Sequence, residues 1–171
     1  MSVWVLAAAL LLASALWTDL RRMEIPNRLT FTFAAAGAAY QMVGHGLDGL
    51  ARAAAGAAAG MLPLFVLYAM RGVGGGDVKW FMAFGAWAGA KAAFVLLLLS
   101  VLFAGGLSIL LLMLRLPVLS EWGRRIPWPW GKHPAARGPG TRFPFMLAVA
   151  PAFAAMVATG RLWQGFGWGG I

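Results

Sequence analysis

The sequence predicts an all-α integral membrane protein of about six transmembrane helices, on three observations. First, 61% of the 171 residues are apolar and only 11% are charged, with a mean hydropathy of +0.78. A water-soluble domain of this length could not hide that much apolar surface. Second, the apolar residues fall into bilayer-length runs separated by short polar stretches. Third, the basic residues concentrate in alternate stretches. The net charge of +9 therefore reads as topology and contact with anionic lipid. Nucleic-acid binding is set aside, because no basic and aromatic module has groove-reading spacing. The chain leaves no room for a second domain of ordinary size, so residues 1–171 read as one polytopic domain. Cysteine is absent, which removes disulfides, thiolate metal sites and a thiol nucleophile.

Val3 to Thr18 is an uncharged Leu/Ala-rich run and makes the first span. Ala13-Ser14-Ala15 resembles a signal-peptidase site, but no basic segment precedes the run, so it reads as a retained helix. A polar stretch, Asp19 to Arg28, follows, with Pro26-Asn27 as a turn or helix restart. Residues 29–44 make a second span, and His45 to Arg52 a short polar break. Ala53 to Met70 makes a third. In it, Gly56 and Gly60 form a GxxxG pattern that favours close helix contact in lipid; plain Ala/Gly richness is the alternative reading.

Residues 71–79 then place Asp77 and Lys79 beside a glycine-rich loop. Such charges cost about 2.5–3.5 kcal/mol each at the centre of a spanning helix. Residues 80–114 are apolar except for Lys91, too long for one crossing and tight for two. Residues 115–142 contain five prolines, three tryptophans and six basic residues. They read as a cytoplasmic interfacial loop with Trp at headgroup depth. Phe143 to Gly160 forms the last span, with Pro144 and Pro151 as start and kink, and the tail 161–171 reads as interfacial.

With six crossings and the N-terminus outside, eleven of the fourteen Lys and Arg residues lie on the cytoplasmic side. The fourth crossing is then short, since Asp77 to Lys91 covers only ~21 Å of helix against a ~30 Å hydrocarbon core. Asp77 is expected in a wet, protein-lined notch just below the cytoplasmic surface. Asp19, after span one, and Asp77, after span three, share that face.

Two carboxylates at one depth suit hydrolysis without metal or cofactor. One takes a proton from water, and the other, protonated, polarises the scissile carbonyl. Gly74 and Gly76 let backbone approach a substrate and adopt conformations closed to other residues. Lys79 and Arg21 are candidates for tuning charge, with ordinary topology as their simpler explanation. Glu24 either steers substrate or pairs with a neighbouring Arg, the second being the simpler. His45 and His133 fall on opposite faces with no HExxH, so a metalloprotease is not indicated. Ser108 has no histidine at its depth and reads as a packing residue.

Asp19-x-Arg21-x-x-x-Ile25-Pro26-Asn27 and Gly74-x-Gly76-Asp77-Val78-Lys79 together resemble the type IV prepilin peptidases, GxGD-type aspartic proteases. The Phe143–Phe153 segment is similar to that family's final helix. The resemblance implies an endopeptidase that removes a short basic leader from prepilins or pseudopilins at the cytoplasmic face of the bacterial inner membrane. It implies Asp19 and Asp77 as the catalytic pair, supported by Gly74, Gly76, Lys79, Arg21, Pro26 and Asn27. Larger members add a cysteine-bearing insertion and methylate the new N-terminus. This chain resembles the short, peptidase-only branch associated with tight-adherence (Flp) pili, with no methyl donor expected. Archaeal preflagellin peptidases share the motifs. A membrane assembly factor with a structural glycine loop, and a small transporter using the carboxylates as proton sites, are the alternative functions.

Overall fold

The computed structural model describes residues 3–114, 116, 127–130 and 143–163. Of the predicted 115–142 loop, only Leu116 and residues 127–130 are therefore described; His133 and most of the 161–171 tail lie outside. The described chain is helical and carries no strand: α1 is Val3–Arg22, α2 Asn27–Ala69, α3 Gly75–Met113 and α4 Met146–Trp163. The first three are long and apolar enough to cross a membrane, and α4 carries a shorter apolar stretch, Met146–Thr159.

On α1 the buried residues Ala8, Leu11, Leu12, Ala15 and Asp19 recur at helical spacing, so Asp19 belongs to the inward stripe. The helix stops at Met23, which takes a left-handed conformation (φ 52). Its N–H donates to the Asp19 carbonyl at 2.9 Å. Pro26, at φ −62, then opens α2.

A straight α2 would be ~65 Å long, twice the hydrocarbon thickness. It is broken instead at Gly46 (φ 64, ψ −143), a conformation essentially confined to glycine. There the chain doubles back so sharply that a Cβ on Gly49 would collide with the Gln41 carbonyl. The polar break expected over His45 to Arg52 is thus a single residue, and residues 47–52 are helical. The far end of α2 closes with Arg71 left-handed (φ 60), the Arg71 N–H on Tyr68 O and the Gly72 N–H on Leu67 O, both at 2.8 Å.

A second such break divides α3 at Gly89 (φ 82, ψ 171). The interruption expected at Lys91 therefore lies two residues earlier, where the backbone changes direction. The short first segment, 75–88, is the centre of the molecule, and Trp80, Phe81 and Phe84 on it are fully buried. Trp80 stacks on Phe84 with centroids 5.6 Å apart, and its Nε1 donates to Leu11 O of α1 at 3.4 Å. Phe81 and Phe84 meet Phe145 and Phe153 at the start and middle of the α4 region.

Toward α2, a Cβ on Gly56 would fall on the Gly85 carbonyl, one on Gly85 on the Gly56 carbonyl, and one on Gly60 on Phe81 O. The GxxxG pattern is thus a backbone-to-backbone contact rather than loose Ala/Gly richness. Trp87 locks the other half of α2. Its Nε1 donates to Phe33 O at 2.8 Å, and Gln41 Nε2 donates to Trp87 O at 3.0 Å, serving a carbonyl near the broken end at Gly89. Large apolar side chains such as Val43, Leu47, Met70 and Leu102 point outward, as a chain solvated by lipid requires.

Candidate active site

The C-terminal end of α1, the following loop and the N-terminus of α3 enclose one open pocket of about 840 Å³. Asp19 and Asp77 both line it, and both are buried, at 5% and 7% exposure. They stand close enough for the charge of Asp19 to act on Asp77.

Each carboxylate is held by a helix N-terminus. Asp77 sits in the first turn of α3, and its Oδ2 accepts the Gly74 N–H at 3.1 Å. Asp19 reaches across the bundle, its Oδ2 accepting the Met146 N–H at the start of α4, also at 3.1 Å. Unpaired amides and the positive end of the helix dipole favour a carboxylate at both places. One oxygen of each aspartate is thereby fixed. The other, Oδ1, takes no hydrogen bond from a described residue and is left for water or substrate.

The glycines act by lacking a side chain rather than through unusual backbone angles. Gly74 is extended (φ −77, ψ 148), and a Cβ there would lie 3.1 Å from Asp77 Oδ2. A Cβ on Gly76 would sit 3.2 Å from the Ile25 Cβ and 3.4 Å from its backbone N. The 23–26 loop therefore rests directly on the first turn of α3. The left-handed residue beside this site is Met23, where a β-carbon is strained by about 1–2 kcal/mol.

Arg21, Pro26 and Asn27 also line the pocket. The Arg21 guanidinium lies over the Trp17 ring, 3.9 Å from its centroid. Lys79 is not in the lining; its Nζ donates to Asn27 Oδ1 at 2.8 Å and so clamps α3 to the start of α2. Glu24 is exposed on the pocket wall and makes no ion pair with a described residue, so the simpler reading of it as an Arg partner is not what forms. Ser108 bonds only to Ala104 O of its own helix. Among the described residues no three His, Asp or Glu side chains gather as a metal site would require.

Sequence reasoning missed two partners of this site. The Met146 N–H is one; Pro144, just ahead of the helix start, was its only signal. The other is Trp130, whose Nε1 donates to Leu20 O at 2.8 Å.

The sequence is also similar to known proteins. The prepilin leader peptidase/N-methyltransferase of Aeromonas hydrophila is 36% identical over 146 residues, covering 79% of this chain and 48% of that protein. That of Aeromonas salmonicida (strain A449) matches over the same extent at the same identity. The chain thus spans about half the length of the curated relatives it matches. No solved structure matches. Residues 4–109 match the model of the type IV leader peptidase family. That stretch is more than half of the sequence and contains both aspartates, and the chain belongs to the type IV leader peptidase family.

Proposed function

We propose that this protein is an aspartic endopeptidase that removes the leader from type IV prepilins at the cytoplasmic face of the membrane. The observation that carries the reading is the pairing of Asp19 and Asp77, two buried carboxylates from separate helices, in one open pocket. The breaks at Gly46 and Gly89 support six crossings, with the N-terminus outside. In that arrangement the ends of α1 and α2 and the start of α3 lie at the cytoplasmic boundary, together with most of the basic charge.

Water bound between the free oxygens of the pair loses a proton to one carboxylate while its oxygen attacks the scissile carbonyl. The second carboxyl, carrying the shared proton, donates to the carbonyl oxygen, since two such neighbours cannot both ionise. As the C–N bond breaks, the abstracted proton passes to the leaving amine, and one hydroxyl of the tetrahedral intermediate returns its proton to the second carboxylate as the carbonyl re-forms. Gly74 and Met146 amides keep each carboxylate from rotating, which is how positioned acid–base groups gain their effect.

Membranes bearing the protein, from a host with no other leader peptidase, should shorten a prepilin by its leader. They should transfer no label to it from a methyl donor, as the resemblance to the short, peptidase-only branch implies. An unprocessed prepilin contradicts the peptidase reading, and a labelled one contradicts the restriction to cleavage.

The Lys79–Asn27 bond yields a separate expectation. Lys79→Met and Asn27→Ala should each reduce cleavage several-fold, and the double variant no further than the worse single one. A double-mutant cycle reads the coupling directly. Strict additivity would show that the clamp does not act on the site.

A further inference from the structure

The left-handed turn at Met23 leaves a vacancy in the hydrogen bonding of α1. Met23 N–H serves the Asp19 carbonyl, but the next carbonyl, that of Leu20, has no amide ahead of it to accept from. A side chain more than a hundred residues away supplies the donor: Trp130 Nε1–H, 2.8 Å from Leu20 O. Trp130 is part-buried and braced edge-on by Trp128, with centroids 5.1 Å apart and planes at 89°. Pro127 and Pro129 each precede one of the two tryptophans and restrict the backbone that presents them. This segment lies outside the 4–109 stretch that matches the family model.

Asp19 is therefore fixed twice. The Met146 N–H holds its carboxylate, and Trp130 holds the carbonyl of the next residue, Leu20. We infer that Trp130 is a positioning residue for Asp19, capping the last turn of α1 so that the carboxylate keeps its direction into the pocket. The inference rests on the proposed peptidase reading for its rate effect, but its structural effect can be read without it.

Trp128 supplies a matched control. Its Nε1 is buried with no hydrogen-bond partner, so its contribution is the ring alone. Trp128→Phe and Trp130→Phe make the same chemical change, trading an indole for the smaller phenyl ring and losing its N–H, but only the second breaks a hydrogen bond.

The experiment measures prepilin cleavage and amide hydrogen exchange on wild type, Trp128→Phe and Trp130→Phe. In Trp130→Phe, kcat should fall roughly three- to tenfold, the rate equivalent of one net hydrogen bond, with KM within about twofold of wild type. Exchange should quicken in the peptide covering residues 17–24 and stay unchanged in α3. Trp128→Phe, which keeps an aromatic ring against Trp130 and breaks no hydrogen bond, should change both far less than Trp130→Phe does. Equal rates for Trp130→Phe and wild type would overturn the inference, as would a rise in KM alone or loss of protection across the whole protein. If wild type fails to cleave, the peptidase reading fails; quickened exchange confined to 17–24 in Trp130→Phe would still uphold the cap, and unaltered exchange there would overturn it.

Discussion

Asp77→Asn and Asp19→Asn should each abolish leader removal while leaving the protein folded and inserted. Asparagine keeps the volume and an acceptor oxygen, so the bonds from Gly74 N at residue 77 and from Met146 N at residue 19 can persist. Neither amide can take a proton from water or hold the shared one. Losing one member of an acid–base pair costs roughly 10²–10⁴-fold. Because the two act on one water, the double variant should be little worse than either single. The measurement is the rate of prepilin shortening by purified variants, with thermal unfolding in detergent as the control for folding. Substantial cleavage by either variant would contradict the assignment.

The second large effect concerns assembly. Gly85→Leu should prevent a stable fold, because even its Cβ would collide with the Gly56 carbonyl and the Ala57 amide. These are backbone atoms and cannot rotate away. Overpacking a close-fitting contact typically costs ~1–3 kcal/mol, and forcing two backbones apart belongs at or above the top of that range. Gly56→Leu and Gly60→Leu should behave alike, since Gly60 faces the Phe81 carbonyl. Gly105→Ala and Gly106→Ala make the contrast: nothing lies within 4 Å of a Cβ at either position. They should unfold at the wild-type temperature or above, because Ala is preferred to Gly inside a helix by roughly 0.5–1 kcal/mol. Equal stability across both sets would refute the close contact of α2 with α3.

The parts of this molecule that were legible in advance are those with a local signature. Asp19 stands out as a carboxylate at the end of an apolar run, although the helix carries on past it to Arg22 and turns it inward, and the short helix starting near Asp77 follows from the spacing between that residue and the next polar interruption. Its end was placed at Lys91 because hydropathy registers a charge, whereas the backbone turns at Gly89. Glycine inside an apolar run reads as tolerated helix, so both sharp breaks, at 46 and 89, were blurred into polar stretches nearby. The glycines of the 74–76 loop read as room for a substrate's backbone and as conformational freedom, and in the structure the missing side chains at Gly74 and Gly76 admit the Asp77 carboxylate and Ile25. What could not be read at all were the bonds from Met146 to Asp19 and from Trp130 to Leu20, which join residues 127 and 110 positions apart. No periodicity records such pairings, and they come into being only once the helices pack.

The account depends on Asp19 and Asp77 facing one another across a shared space, and the absence of native cysteine allows that to be measured. In an Asp19→Cys/Asp77→Cys chain, a short bifunctional thiol reagent should bridge the two positions within one molecule, giving an intact mass increased by a single reagent with both thiols consumed. If each thiol reacts readily with a monofunctional reagent yet the pair is never bridged, the two side chains do not share a pocket and the hydrolytic pair does not exist.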